Sequence, residues 1–206
     1  MRHDVISMNM KNMPQKTRER NYLSQGYDCV IGVDEVGVGC LAGPLVVCAT
    51  LFRPEFFSIR HKELQNVRDS KLLSPSQREL LSRELMSQSY MQRALVTVPP
   101  KDVDRLDVFQ SARYGMKIAV QRLIATTGVS HPAILVDGNR PIPDIPWFQE
   151  AIIGGDRRVF SIACASILAK VHRDAVMVKA SHRYPEYGFE LHKGYGTSAH
   201  LATLTK

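Results

Sequence analysis

The sequence lacks long apolar runs. None of its 206 residues lies in an apolar run long enough to cross a bilayer, and the opening residues do not form the hydrophobic segment of a secretion signal. No pair among the four cysteines has C-x-x-C spacing, which excludes a typical zinc finger or redox pair. The cysteines are Cys29, Cys40, Cys48 and Cys164. These absences exclude a membrane protein and predict a cytoplasmic protein with reduced thiols.

Internal repeats, low-complexity tracts and linkers are also absent. A hydrophobic content of 44% is ample for a core, so we expect one domain over residues 27–206. Residues 1–26 are interpreted as a basic arm with one short helix. The net charge of +7 favours a polyanionic partner such as nucleic acid, although an ordinary basic protein could carry it too. No spare apolar face is evident, and we expect a monomer.

What the sequence does contain is a glycine-rich stretch between two apolar runs. Residues 33–44 read VDEVGVGCLAGP. The runs at 29–33 and 45–51 are predicted to be buried strands, antiparallel because their connection is short. Asp34 and Glu35 therefore lie where a core strand ends. Acids there are costly to desolvate and usually have a partner, for which a divalent cation is the obvious candidate.

Three interpretations of this stretch are open. The acids could be a solvated strand end, or residues 37–42 could be a dinucleotide fingerprint of the form G-x-G-x-x-A. Alternatively, the acids bind metal while the glycines let backbone amides approach a phosphate. The fingerprint must open a helix, yet Gly43, Pro44 and a β-branched run follow. It would also point two carboxylates at an anionic pyrophosphate, so it is disfavoured.

Helices and strands alternate along the rest of the chain. Helices are predicted over about 75–87, 107–126 and 158–179, and strands over 89–98, 133–136 and 148–153. Leu80, Leu81 and Leu85 are expected to face the core from the first helix, and Phe109 from the second. Arg173 is expected near the end of the third, where a cation suits the helix dipole. The order indicates an α/β fold, a mixed sheet with helices on its faces.

Four acids fall at or just beyond predicted strand ends, where sites of α/β sheets gather. They are Asp34, Glu35, Asp137 and Asp156. In one pocket they would repel one another and raise their pKa values. Two divalent cations about 3.5–4 Å apart, as in known phosphodiester-cleaving sites, would neutralise them. Oxygen ligands favour Mg²⁺ or Mn²⁺ over Zn²⁺. The residues thus indicate a metal-dependent nuclease, without placing the two later acids beside the first two.

Six motifs, in order along the chain, resemble type 2 ribonucleases H, the bacterial ribonuclease HII group. They are residues 32–44, DSKLLS at 69–74, VDGN at 136–139, GD at 155–156, SIACASILAKV at 161–171 and HKGYGT at 192–197. The resemblance implies an RNase H-like fold with a mixed five-stranded sheet and a small C-terminal helical extension. It also implies endonucleolytic cleavage of RNA in RNA–DNA hybrids, and 5′ of ribonucleotides embedded in duplex DNA, leaving 3′-hydroxyl and 5′-phosphate ends.

The same resemblance assigns the site. It implies that Asp34, Glu35, Asp137 and Asp156 are catalytic acids that bind two Mn²⁺ or Mg²⁺ ions. It implies that the partner is an RNA–DNA hybrid or ribonucleotide-containing duplex DNA, held partly by a substrate-binding segment at about 182–206.

Substrate contacts are implied for five further residues. Gly37, Val38 and Gly39 form the turn that reads the ribose 2′-hydroxyl through backbone groups, and Tyr195 packs against the neighbouring sugar. Lys71 is a candidate phosphate ligand. The family has arginine where this chain has Val38. Backbone contacts survive that change but a guanidinium–phosphate contact does not, so we expect binding weaker by about 1–3 kcal/mol unless another group compensates.

Three other classes remain as alternatives. A ribonuclease HIII-like enzyme would share the fold, but usually carries an additional N-terminal substrate-binding domain, for which the 27 residues before the first motif are too few. A non-catalytic hybrid-binding protein would not need all four acids. A nucleotide-binding oxidoreductase would need the βαβ unit that the pattern lacks.

Overall fold

A mixed five-stranded sheet forms the centre of the computed structural model, which describes residues 13–205. The strands are β1 (Cys29–Val36), β2 (Leu45–Phe52), β3 (Met91–Val98), β4 (Pro132–Asp137) and β5 (Gln149–Ile152). Their order is β3-β2-β1-β4-β5. β2 pairs antiparallel with β1 and β3, whereas β4 pairs parallel with β1 and β5. The predicted antiparallel pair and mixed sheet are confirmed.

Helices cover both faces of this sheet. They are α1 (Thr17–Ser24), α2 (Pro54–Ser58), α3 (Pro75–Met86), α4 (Pro100–Leu106), α5 (Val108–Thr127), α6 (Gly155–Arg158), α7 (Phe160–Arg183), α8 (Phe189–His192) and α9 (Ser198–Leu204). Short 3₁₀ turns occur at Ser70–Leu72 and Pro185–Tyr187. Because successive strand residues face opposite ways, Val47 packs with the α5 core and Val46 and Cys48 with the α7 core. None of the helices within residues 13–205 combines the length and apolarity needed to cross a bilayer.

A glycine in β1 allows α7 to lie close to the sheet. A Cβ added at Gly32 would lie 2.2 Å from the carbonyl carbon of Ser161, so only glycine fits beneath the first turn of α7. Thr50 also connects β2 to the first turn of α7, since its hydroxyl donates to the carbonyl of Ser161 at 2.9 Å. The close approach places the first turn of α7 against the middle of β1, two residues before the predicted acids begin at Asp34.

Two residues expected in the core are exposed, and those predictions are wrong. Leu81 and Leu85 are buried in α3, but Leu80 is 51% exposed because it is one step, about 100°, further around the helix. Phe109 is 70% exposed. It lies in the first turn of α5, where the helix borders an open cavity rather than the sheet. The long helix predicted over about 158–179 is confirmed as α7, which begins two residues later, after the separate turn α6, and continues to Arg183.

The described part of the N-terminal arm lies against the domain. Glu19 on α1 is fully buried, and its carboxylate accepts a hydrogen bond from the backbone N–H of Ser161 at 2.8 Å. The Tyr22 hydroxyl donates to Glu150 at 2.8 Å. This part therefore stabilises the start of α7, while predictions about residues 1–12 fall outside the described residues. The division at residue 26 stays a prediction.

Candidate active site

One cavity of about 240 Å³ contains the residues predicted to form the site. It is lined by Asp34, Glu35, Asp137 and Asp156, by the turn residues Gly37, Val38 and Gly39, and by Lys71 and Tyr195. The structure therefore brings together carboxylates that are far apart in the sequence. Their roles in catalysis and binding remain predictions that geometry alone does not test.

The parallel pairing of β1 and β4 places the first three acids. Val33 on β1 lies opposite Val136 on β4, so Asp34 and Asp137 follow at the same level of neighbouring strands. The backbone then turns from β1 directly into antiparallel β2. No helix opens at this turn, and the dinucleotide-fingerprint interpretation is therefore wrong.

Asp156 reaches the cavity from α6, the single helical turn that follows β5. A carboxylate oxygen of Asp137 accepts a hydrogen bond from the backbone N–H of Gly155 at 2.6 Å, which holds α6 against the end of β4. Asp156 itself is buried. The fourth acid is thus positioned by a backbone contact to the third.

The carboxylates raise one another's pKa values. Burial raises the pKa of Asp34 well above its usual range, and the charges of Glu35 and Asp137 raise it further. Burial, followed by the charge of Asp137, raises the pKa of Glu35 to about 7. The pKa of Asp156 is raised by burial first and then by the charges of Asp69 and Asp137. The expected upward shifts are confirmed for these three acids.

These donors suit a hard divalent cation. All are carboxylate oxygens, which Mg²⁺ and Mn²⁺ prefer, and a bound cation would relieve the repulsion that raises the pKa values. The carboxylates surround the cavity, and within residues 13–205 no three His, Cys, Asp or Glu side chains already lie close enough to chelate one ion. The chemistry of the donor set fits the predicted metals, whereas chelation would require side-chain movement.

Asp69 is a fifth carboxylate near the site, missed by the sequence analysis. Its side chain accepts from the backbone N–H of Lys71 at 2.9 Å and so starts the 3₁₀ turn that presents Lys71. Arg157 lies between Asp69, at 3.4 Å, and Asp156, at 4.0 Å. The adjacent Ser70 hydroxyl lies 3.0 Å from that of Ser166 on α7. The only sequence signal for Asp69 was its place in the DSKLLS motif.

Arg173 was expected near a helix end, but it lies in the middle of α7 and is fully buried. Its guanidinium donates to three backbone carbonyls, those of Pro44 at 2.9 Å, Lys193 at 2.8 Å and Ala42 at 3.1 Å. It also lies 5.8 Å from the centre of the Tyr195 ring. One side chain therefore joins the end of the glycine turn to the segment that carries Tyr195.

The backbone completes this connection. The N–H of Leu41 donates to the carbonyl of Gly194 at 2.9 Å, and Cys40 forms an isolated antiparallel bridge with Tyr195. Gly194 has a φ of +85°, and a Cβ there would lie 2.1 Å from the carbonyl oxygen of Ala42. Only glycine permits so close an approach.

Lys170 also lies close to the tyrosine ring. Its ammonium is 5.1 Å from the centre of the Tyr195 ring and 2.7 Å from Asp174, which also lies 3.6 Å from Arg78. Because Lys170 lines the cavity as well, two cations lie within 6 Å of the ring that is predicted to contact the sugar.

Comparison with known proteins identifies the family. The family model described as ribonuclease HII matches residues 31–206. The chain belongs to the ribonuclease HII family. It is 43% identical over 175 residues to a ribonuclease HII of Chlorobium phaeobacteroides, covering 85% of this chain and 82% of that one. It is 41% identical over 188 residues to a ribonuclease HII of Caldicellulosiruptor bescii, covering 91% of this chain and 85% of that one. The predicted family and enzyme class, a type 2 ribonuclease H, are confirmed.

Solved structures agree on the fold. The ribonuclease H2 of Pyrococcus horikoshii OT3 superposes with a TM-score of 0.68 at 26% identity, over 84% of this chain and 83% of that one. Bst-RNase HIII in complex with Mn²⁺ gives a TM-score of 0.62 at 21% identity, over 78% of this chain and 56% of that one. The ribonuclease HII family fold is thus confirmed, and the ribonuclease HIII alternative gives way to the closer match with ribonuclease HII sequences.

Proposed function

We propose that this ribonuclease HII family member hydrolyses the RNA strand of RNA–DNA hybrids and nicks duplex DNA 5′ of embedded ribonucleotides, leaving 3′-hydroxyl and 5′-phosphate ends. The observation that carries the proposal is the single cavity in which four carboxylates meet the glycine turn and Tyr195. The net charge of +7 supports a nucleic-acid substrate, since a basic surface attracts the phosphate backbone.

The four carboxylates are proposed to hold two divalent cations, Mn²⁺ or Mg²⁺. Support comes from the oxygen-only donors and from the raised pKa values of Asp34, Glu35 and Asp156. It comes also from a protein of the same fold, Bst-RNase HIII, whose structure was solved with Mn²⁺. When bound, such cations polarise the phosphodiester and lower the pKa of an attacking water.

The chain's own residues bind and orient the substrate in this proposal. The backbone of Gly37, Val38 and Gly39 reads the 2′-hydroxyl, and the Tyr195 ring packs on the adjoining sugar. Lys71 contacts a phosphate. Its charge partly offsets the raised pKa of Glu35, which is the effect expected of a cation that faces the acids. Arg173 holds the turn and the tyrosine in register with each other.

Domain organisation and assembly follow the same proposal. Residues 27–206 act as one catalytic domain, in which about 182–206 form the substrate-binding segment that presents Tyr195. The protein works as a monomer, because every proposed site residue comes from one chain.

A nicking assay tests the proposal. A labelled DNA duplex with one ribonucleotide is incubated with Mg²⁺ or Mn²⁺, beside an all-DNA duplex and an RNA–DNA hybrid. We expect nicking 5′ of the ribonucleotide and cleavage of the hybrid, but no cleavage of all-DNA. Asp137→Asn should reduce the rate at least about a hundredfold while the protein still binds the duplex. Binding without nicking by both proteins would instead favour a non-catalytic hybrid-binding protein.

A further inference from the structure

A second cavity, of about 410 Å³, adjoins the catalytic one. Its lining includes Glu35, Val38, Phe109, Arg113, Asp137 and Arg140, and we call it the α5 cavity. Glu35, Val38 and Asp137 line both cavities, so the two lie side by side. A polymer held in the catalytic cavity can extend into the α5 cavity without leaving the surface.

Two guanidinium groups in the α5 cavity have no carboxylate partner in the part of the chain that the structure describes. Among residues 13–205, neither Arg113 nor Arg140 makes an ion pair, although Glu35 and Asp137 line the same cavity. The Nε of Arg113 is buried and has no hydrogen-bond acceptor within the described residues. A buried donor without an acceptor is unfavourable. An acceptor from outside the chain cannot reach this buried Nε, but it can reach the terminal nitrogens of the partly exposed Arg113 side chain, and a phosphate matches the forked geometry of arginine.

Phe109 adds an exposed aromatic ring to these cations. It is 70% exposed and lies four residues before Arg113, on the same face of α5. The first turn of α5 is fixed by Asp107, whose side chain accepts from the backbone N–H groups of Phe109 and Gln110 at 2.8 and 2.9 Å. A ring held by a fixed helix turn beside two arginines is the arrangement on which nucleobases stack beside a bound backbone.

With Val38 at its centre, the glycine turn has no cation of its own, and these arginines can supply one. The side chain of Val38 is partly buried and packs against the core cluster that contains Ala112 and Met116. The centre of the glycine turn is therefore apolar and offers no cation to a phosphate. Arg113 lies one residue from Ala112, in the wall of the cavity that Val38 also lines.

We propose that the α5 cavity is a second subsite for the nucleic-acid strand, in which Arg113 and Arg140 bind a backbone phosphate and Phe109 stacks on a neighbouring base or sugar. The subsite supplies the cation that the glycine turn lacks. This inference rests on the proposed function, because it requires that the catalytic cavity hold a nucleic acid.

Binding measurements provide the first test. Asp156 does not line the α5 cavity, so Asp156→Asn is used to keep the strand intact. Affinity for a fluorescent duplex with one ribonucleotide is then measured by anisotropy at several salt concentrations. Arg113→Gln and Arg140→Gln should each raise Kd about tenfold and lower the slope of log Kd against log salt by about 1. Arg122 is an exposed arginine on the same helix, and Arg122→Gln should leave both the Kd and the salt slope unchanged within experimental error.

Three further variants separate charge from folding and from stacking. Arg113→Lys keeps the charge and should keep the salt slope. Phe109→Ala removes an exposed ring and should raise Kd several-fold without changing the slope. Val38→Arg, placed in the Arg113→Gln protein, should recover most of the lost affinity. Melting curves of each variant confirm that it is folded.

The outcomes distinguish this inference from the proposed function. In the otherwise unaltered enzyme, Arg113→Gln should raise KM and leave kcat within about threefold. If the unaltered enzyme nicks normally but Arg113→Gln behaves like Arg122→Gln, the subsite is refuted and the function stands. A fall in kcat with unchanged KM would also refute it, because Arg113 would then act on the neighbouring acids. If the unaltered enzyme neither binds nor nicks duplex, both proposals are wrong.

Discussion

Arg173 provides the sharpest test of how the site is held together. Methionine at this position keeps much of the side-chain volume and removes the three hydrogen bonds to the carbonyls of Pro44, Ala42 and Lys193. The four carboxylates proposed to be catalytic lie elsewhere, on β1, β4 and α6. Arg173→Met should therefore loosen the glycine turn from the Tyr195 segment without altering the acids directly.

The size of the effect follows from burial. Hydrogen bonds from a charged donor contribute about 1.5–3 kcal/mol each, so three give a gross loss of roughly 5–9 kcal/mol. Removing a fully buried cation recovers several kcal/mol of desolvation. We expect a net decrease of about 3–5 kcal/mol in the free energy of unfolding. At about 2–4 °C per kcal/mol for a chain of this size, Tm should fall by roughly 6–20 °C.

Two assays measure the effect of Arg173→Met. Thermal unfolding measures stability, with Lys179→Met as a control, since Lys179 is an exposed residue of the same helix. Nicking kinetics at a temperature where all proteins are folded should show KM raised about tenfold and kcat changed by less than threefold. Arg173→Lys should be intermediate in both, because an ammonium cannot reach all three carbonyls. A Tm within 2 °C of the unaltered protein, or a loss confined to kcat, would refute this account.

Three further predictions follow. In a chelator, stability should decrease as the pH rises from about 4.5 through about 7, with Glu35 alone contributing about 3 kcal/mol, because its folded pKa lies above its unfolded value and its protonated form is favoured in the fold; melting curves of Glu35→Gln should show a shallower slope, since Asp34 and Asp156 still titrate, and an identical slope would contradict it. Val38→Arg should lower KM in the nicking assay, more strongly when Arg113 is absent, and unchanged KM in both backgrounds would show that a cation at the turn contributes nothing. Gly32→Ala should lower Tm by several degrees or prevent folding, because its Cβ would lie 2.2 Å from the backbone of Ser161; a normal melting curve would mean that α7 can move away from β1.

Local pattern was enough to predict most of the elements. The apolar runs on either side of the glycine turn predicted β1 and β2, and the helix predicted from about residue 75 is confirmed as α3, which starts with a capping box at Ser74. The same method failed for Leu80 and Phe109, both exposed. Periodicity shows which residues share a helix face. It does not show where along the helix the opposing sheet ends.

For the acids of the site, the sequence likewise predicted the residues but not their contacts. The sequence by itself identified Asp34, Glu35, Asp137 and Asp156, since an acid at the end of an apolar strand is recognisable from its neighbours alone. Their meeting in one cavity was decided by the parallel pairing of β1 with β4, which is a contact between distant segments.

Only the tertiary structure showed what Arg113 and Arg173 contact. In the sequence, Arg113 and Arg173 are two cations on helices, with nothing to separate them from Arg122. Arg173 became a buried connector and Arg113 a cavity-lining cation because of what packs around each helix. A side chain's hydrogen-bond partners and its exposure depend on the assembled fold, so they cannot be predicted from the local sequence.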